Sequence, residues 1–258
     1  HLAGAITGVA MERVVDELTR ILRHPPAGQA ILLMDDLGLL APLLPEIVAM
    51  KGVEQPPEFH PEGDVFRHTW MTLDALQPGA SAAVAWAALL HDVGKPGTQT
   101  HEDRIRFHGH AELGARMAAR IGRRFKLSNA VIDRIVEIIL DHMKFGNIDQ
   151  MRPGRLLRWA AMPHFIELLE VHRADCASSH KDMSAFAIAS RALEEVRRLQ
   201  AMPRKIVNGT LLVGMGMVPS PAFKGIIEAA YEAQLEGAFT DDEGGRAFVT
   251  AFLATTAI

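Results

Sequence analysis

The sequence predicts an all-α fold, and three observations carry that expectation. Apolar residues recur at three- and four-residue spacing in segment after segment, the period of an amphipathic helix. Sustained alternation of the kind that marks strands is missing, apart from Thr100 to Phe107, where Ile105 and Phe107 alternate with arginines and a small hairpin is expected. Breaks fall at Pro25-Pro26, Pro56-Pro57, Pro78-Gly79, Pro96-Gly97, Pro153-Gly154 and Pro203, residues that end helices rather than continue them. With 258 residues, 48% of them hydrophobic, the chain can build one large core or one domain with helical extensions.

Taken in order, the helices are expected at 10–23, 28–35, 37–50, 64–76, 81–92, 109–125, 128–143, 153–161, 163–176, 183–200, 221–235 and 241–254. Asp64 is the N-cap of a helix whose inner stripe holds Val65, His68, Met71 and Leu76. In Ser81 to Leu90 nine of ten residues are apolar, so that helix should be buried on all sides; it ends at His91-Asp92. His110 opens the stripe Leu113, Gly114, Met117, Ala118, Ile121. Ser128 caps a helix with Val131, Ile132, Ile135, Ile138, Ile139 and His142 on one face. Phe165, Leu168, Leu169, His172 and Asp175 share another. Three regions result: a helical lead-in over 1–50, a central region over 51–182, and a helical extension over 183–258 with a turn-rich middle from Asn208-Gly209 to Pro221.

His68, His91, Asp92, His110, His142 and Asp175 all lie where the core should be. A single inward histidine is ordinarily a hydrogen-bonded core residue, and a single inward aspartate a cap or half of an ion pair. Six such positions on five helices read instead as one metal site, because buried carboxylates are costly without a compensating cation. Lys95, three residues after Asp92, shares its face if the helix continues for a turn. His172 is expected to hydrogen-bond a ligand, and His101, His108 and His180 to lie on the rim. His24, His60 and His164 read as ordinary surface or loop histidines. Two motifs are decoys. Gly94-Lys95 with Thr98 lacks the earlier glycine of a phosphate loop, since that position is Leu89. Gly214-Met-Gly216 has no strand before it.

The order His68, His91-Asp92, Asp175 resembles the HD superfamily of metal-dependent phosphohydrolases, and His110 and His142 match its dinuclear members. Leu89-Leu-His-Asp-Val-Gly-Lys-Pro96, Arg106-Phe-His-Gly-His-Ala-Glu-Leu-Gly-Ala115 and Val171-His-Arg-Ala-Asp-Cys176 are similar to the HD region of bacterial tRNA nucleotidyltransferase/poly(A) polymerase proteins. Met11 to Leu18 and Leu37 to Glu46 resemble that family's neck, and Pro221 to Gly237 its C-terminal element. The Gly-Ser and paired-Asp motif of the nucleotidyltransferase head does not occur in the 258 residues, so no nucleotide addition is expected of them.

The resemblance implies an HD-domain helical bundle acting as a phosphodiesterase, with phosphatase side activity, on 2′,3′-cyclic nucleotides or phosphoesters at RNA ends. Asp92, Lys95, His110 and His142 would be its catalytic residues. Four imidazoles and two carboxylates suit Mn, Fe, Co, Ni or Zn better than an all-oxygen calcium site. One ion takes His68, His91, Asp92 and Asp175; a second takes His110 and His142 with Asp92 bridging. The sequence leaves open a single ion, with His110 and His142 serving the phosphate or proton transfer instead. It also leaves open a di-iron oxygenase on the same ligands and a non-catalytic RNA-binding fragment.

The net charge of −4 gives no global nucleic-acid footprint. A local RNA contact would fall on the basic stripe Arg116, Arg120, Arg123, Arg124, for which a solvated helix face is the plainer account. Cys176 is the one cysteine, which excludes an internal disulfide and suggests a reducing, cytoplasmic compartment. No apolar run approaches the ~20 residues that span a bilayer, and the N-terminal residues do not read as a signal peptide.

Overall fold

A computed structural model describes residues 3–101, 103–199 and 201–256. The protein is all-α. A 3₁₀ turn (Ala3–Gly8) leads into α1 (Met11–Leu22), α2 (Ala27–Asp36), α3 (Leu40–Leu43), α4 (Pro45–Val48), α5 (Val65–Asp74) and α6 (Ala82–Leu90). A second 3₁₀ turn (Lys95–Gly97) precedes the two-residue strands β1 (Thr100–His101) and β2 (Ile105–Arg106). Then come α7 (His110–Arg124), α8 (Asn129–Asp141), a 3₁₀ stretch (His142–Gln150), α9 (Pro153–Ala160), α10 (Phe165–Ser178), α11 (Ser184–Arg198), α12 (Gly209–Gly214), α13 (Ala222–Leu235) and α14 (Asp242–Thr256). The hairpin is antiparallel, with Thr100 opposite Arg106 and His101 opposite Ile105.

The chain divides into two compact units, His1–Gly146 with His164–Ala187, and Asn147–Pro163 with Ile188–Ile258. In the first, α6 is the central helix: Ala83 to Leu90 are all buried, and α1, α5, α8 and α10 pack around it. Ser81 starts it by accepting from the Val84 amide at 3.2 Å. Trp86 is fully buried yet satisfied, its indole N–H donating to Thr19 Oγ1 at 2.9 Å. Asp64 and Ser128 cap α5 and α8 as their sequences suggest. In the second unit α13 packs on α9, α12 and α14. Its core is Val207, Leu211, Leu212, Ile226, Ala230, Ala233, Phe239 and Val249. Arg158 reaches Glu232 at 2.7 Å across the α9–α13 contact.

Three differences from the sequence reading have local causes. The helix expected over 37–50 is two short pieces, because Pro45 drives Leu44 out of the helical region to φ −136°, ψ 63°. The helix expected to reach 143 ends at Asp141 and passes into a 3₁₀ stretch that starts at His142. Helix α12 lies in the segment read as turn-rich; Asn208 caps it, accepting from the Leu211 amide at 3.1 Å.

Close backbone packing seats α7 against the turn that follows α6. A Cβ on Gly94 would stand 2.2 Å from the His110 carbonyl oxygen and 2.7 Å from the Gly114 nitrogen. Only glycine lets the turn after Asp92 lie on the first turn of α7.

Candidate metal centre

Five helices deliver their ionisable side chains to one place. His68 comes from the middle of α5, and His91 and Asp92 from the end of α6. His110 is the first residue of α7, His142 follows the last residue of α8, and Asp175 lies in α10. His68, His91, Asp92, His110 and His142 are buried, and Asp175 is partly exposed.

The imidazoles form two pairs. His68 Nε2 and His91 Nε2 are 3.2 Å apart, and so are His110 Nε2 and His142 Nε2. Asp92 stands between the pairs. Its Oδ2 lies 3.3 Å from His91 Nε2 and 3.8 Å from His68 Nε2. Its Oδ1 lies 3.7 Å from His110 Nε2 and 3.9 Å from His142 Nε2. Asp175 Oδ1 joins the first pair at 3.0 Å from His68 Nε2.

The opposite edges of the rings explain why these nitrogens face one another. His91 Nδ1–H donates to the Ala88 carbonyl at 2.9 Å, His110 Nδ1–H to Phe107 at 2.7 Å, and His142 Nδ1–H to Ile139 at 2.6 Å. A carbonyl only accepts, so each Nδ1 carries the proton and each Nε2 of a neutral ring presents a lone pair. Burial lowers the pKa of His110, and that of His142 to about 4, so both rings stay neutral near pH 7. In both, the charge of Asp92 only partly offsets burial. Two lone pairs 3.2 Å apart in a buried site repel unless a cation lies between them.

The residues fit a divalent ion. Two nitrogens 3.2 Å apart, each about 2.1 Å from a shared ion, subtend about 100° at it, within the range that zinc and similar metals accept. Asp92 offers one oxygen to each pair. Burial opposes its ionisation, but Lys95 and His91 outweigh that and hold the carboxyl well below the ordinary carboxylate range. Burial likewise works against a charged His68, yet Asp175 and Glu62 lift its pKa to about 9. The Asp175 carboxyl is lowered, burial being outweighed by its hydrogen bond with His68. This half of the centre therefore favours a positive charge, which a proton or a metal ion can supply.

Lys95 is buried. Its Nζ lies 2.7 Å from Asp92 Oδ2, donates to Gln55 Oε1 at 2.6 Å, and sits 5.3 Å from the centre of the Phe107 ring. Gln55 gave no signal in the sequence beyond its place before Pro56-Pro57. Glu62 was also missed. Its Oε1 is 2.7 Å from His68 Nδ1 and accepts from His60 Nδ1 at 2.8 Å. Burial would raise the Glu62 carboxyl, but hydrogen bonds with His60 and His68 bring it down to about 2. The available signal was an acid two residues after His60 and two before the Asp64 cap.

Other histidines are corrected. His172 makes no hydrogen bond to the proposed ligands among the described contacts. Its ring stacks on Phe145 at 3.7 Å between centres, with Cys176 Sγ 3.5 Å from Nε2. His164 lies in a turn but is buried there, and its Nε2 lies 3.0 Å from Asp141 Oδ2. His60 belongs to the centre's surroundings, its ring 4.8 Å from that of His68. His24, His101, His108 and His180 are exposed. On α7, Arg116, Arg120, Arg123 and Arg124 face solvent, and Arg124 is bound by both oxygens of Glu46 at 2.6 and 2.8 Å. Cys176 is buried and unbridged.

Two known families match the chain. The HD domain family matches residues 65–179. The family described as "Probable RNA and SrmB- binding site of polymerase A" matches residues 1–50. An A-adding tRNA nucleotidyltransferase of Deinococcus radiodurans is 33% identical over 260 residues, covering 96% of this chain and 59% of the relative. A CC-adding tRNA nucleotidyltransferase of Thermus thermophilus is 31% identical over 252 residues, 93% of this chain and 56% of the relative. A multifunctional CCA protein of Halorhodospira halophila is 40% identical over 156 residues, 60% of this chain and 37% of the relative. The chain thus spans little more than half the length of the longest-matching of these relatives.

Proposed function

The chain carries an HD domain and is homologous over most of its length to bacterial CCA-adding tRNA nucleotidyltransferases, and from that premise we propose that it is a metal-dependent phosphodiesterase with phosphatase side activity. Its substrates are 2′,3′-cyclic nucleotides or phosphoesters at RNA ends. The observation that carries this reading is the pair of facing lone pairs, His110 Nε2 and His142 Nε2, 3.2 Å apart beside Asp92.

His68, His91, Asp92 and Asp175 would hold one ion, and His110, His142 and Asp92 a second. Divalent ions so held supply Lewis acidity toward a phosphoryl oxygen and activate water as a nucleophile at neutral pH. The backbone carbonyls of Ala88, Phe107 and Ile139 fix the three rings before any ligand arrives, so little reorganisation is needed. Lys95 brings a positive charge to the phosphate, and Gln55 restrains its ammonium. The match of residues 1–50 to an RNA-binding family, and the tRNA enzymes among the relatives, favour an RNA partner. The HD unit is assigned to 51–182, between a neck over 1–50 and an extension over 183–258.

The test is hydrolysis of bis(p-nitrophenyl) phosphate and 2′,3′-cyclic AMP. Chelator abolishes it, and Mn, Co or Ni restores it. Full activity in metal-free protein contradicts the proposal.

A further inference from the structure

Glu62 distinguishes the two halves of the centre. Three of the four imidazoles are backed by a neutral backbone carbonyl; His68 is backed by a carboxylate, with Glu62 Oε1 2.7 Å from its Nδ1. Glu62 is itself held, since His60 Nδ1 donates to the same oxygen at 2.8 Å and the side chain is buried. The charges add to the asymmetry. The His68–His91 half has Asp175 Oδ1 3.0 Å from His68 Nε2 as well as one oxygen of Asp92. Among the described residues, the His110–His142 half has only the other Asp92 oxygen. Lys95 opposes the first half with one positive charge on Asp92 Oδ2, against the two further carboxylates Asp175 and Glu62.

We propose that Glu62, acting through His68, is a positioning residue that makes the His68–His91–Asp92–Asp175 position the tighter of the two metal positions and the first to fill. A carboxylate behind a ligating imidazole fixes its orientation and increases its basicity toward the ion. The inference rests on the metal-centre reading above.

The experiment is titration of the metal-free full chain with Mn²⁺ or Co²⁺ by calorimetry, with circular dichroism to monitor folding. Wild-type protein should bind in two phases. Glu62→Ala should weaken the first phase about 10–100-fold and leave the second in place. Glu62→Gln, which keeps the shape and removes the charge, should fall between them and guards against misfolding of the Ala variant. His110→Ala should remove the second phase only. Glu62→Gln and Glu62→Ala proteins that bind the first ion with wild-type affinity overturn the inference while leaving the metal centre intact. A first phase lost on His110→Ala and kept on Glu62→Ala also overturns it. Wild-type protein that binds no metal overturns this inference and the proposed function together.

Discussion

Each ligand nitrogen is prepared by an atom on the far side of its ring. His110 and His142 show this most simply, because the carbonyls of Phe107 and Ile139 leave both Nε2 atoms with free lone pairs. Replacing either with Ala should lower saturating metal stoichiometry from about two ions per chain to about one, with a large loss of kcat, as elemental analysis and steady-state kinetics would read. Unchanged stoichiometry, with the defect in KM or the pH profile, would assign the pair to phosphate binding or proton transfer. His172 gives a prediction for the metal-free protein. Burial lowers its pKa to about 4, from about 6.5 in an unfolded chain. Its folded pKa is depressed, so the unfolded state binds the extra proton. Its contribution to stability is full above about pH 6.5 and is lost as pH falls toward about 4, roughly 2 kcal/mol between pH 7 and pH 5. Urea unfolding of His172→Phe, which preserves packing on Phe145, should show that much less acid destabilisation than the parent. The six candidate ligands stood out in the sequence because each lies on an apolar stripe or ends an apolar run; five are buried and Asp175 is partly exposed. Glu62, Gln55 and His60 did not stand out, because they lie in the irregular segment before α5, where no periodicity says which side chain points inward.

At the level of elements, helices with a cap and a stripe were readable to within a few residues. Asp64, Ser81 and Ser128 each open a helix where the sequence indicates. The failures follow competing local rules: Pro45 divides the 37–50 segment, and a six-residue helix such as α12 is too short to show a period. Asn208→Ala should cost about 1 kcal/mol by removing the cap of α12, with faster amide exchange at Leu211 as the local readout. Gly94 is a sharper case, since any side chain there meets the His110 carbonyl. Gly94→Ala should destabilise the protein by about 1–3 kcal/mol through overpacking and weaken the proposed second metal position, because the first turn of α7 must move away from the turn after Asp92. A variant with the parental melting temperature and two bound ions would show that the contact between Gly94 and α7 is not what fixes that position.

For the whole molecule, the candidate ligands all belong to the first unit, while the second has its own apolar core around Leu212, Ala230 and Val249. Among the described residues no helix is long and apolar enough to cross a membrane. On the proposed function, removing metal would leave the histidines and carboxylates of the first unit buried without their cation. Chelator should therefore speed amide exchange in α5, α6, α7, α8 and α10, and leave α12, α13 and α14 unaffected. The all-α class was legible across the whole chain because helical periodicity is a local property. How the five helices converge was not visible in any one stripe; it needed the order of His68, His91-Asp92, His110, His142 and Asp175 along the chain.

On the proposed function, Asp92 joins two metal positions into one centre. Elemental analysis of metal-saturated wild-type and Asp92→Ala proteins, both checked for retained helix content, tests it most directly. About two ions per wild-type chain are expected, with loss of both from Asp92→Ala, since the carboxylate presents one oxygen to each pair of imidazoles. An Asp92→Ala protein that keeps two ions, or wild-type protein that holds no more than one, would contradict it.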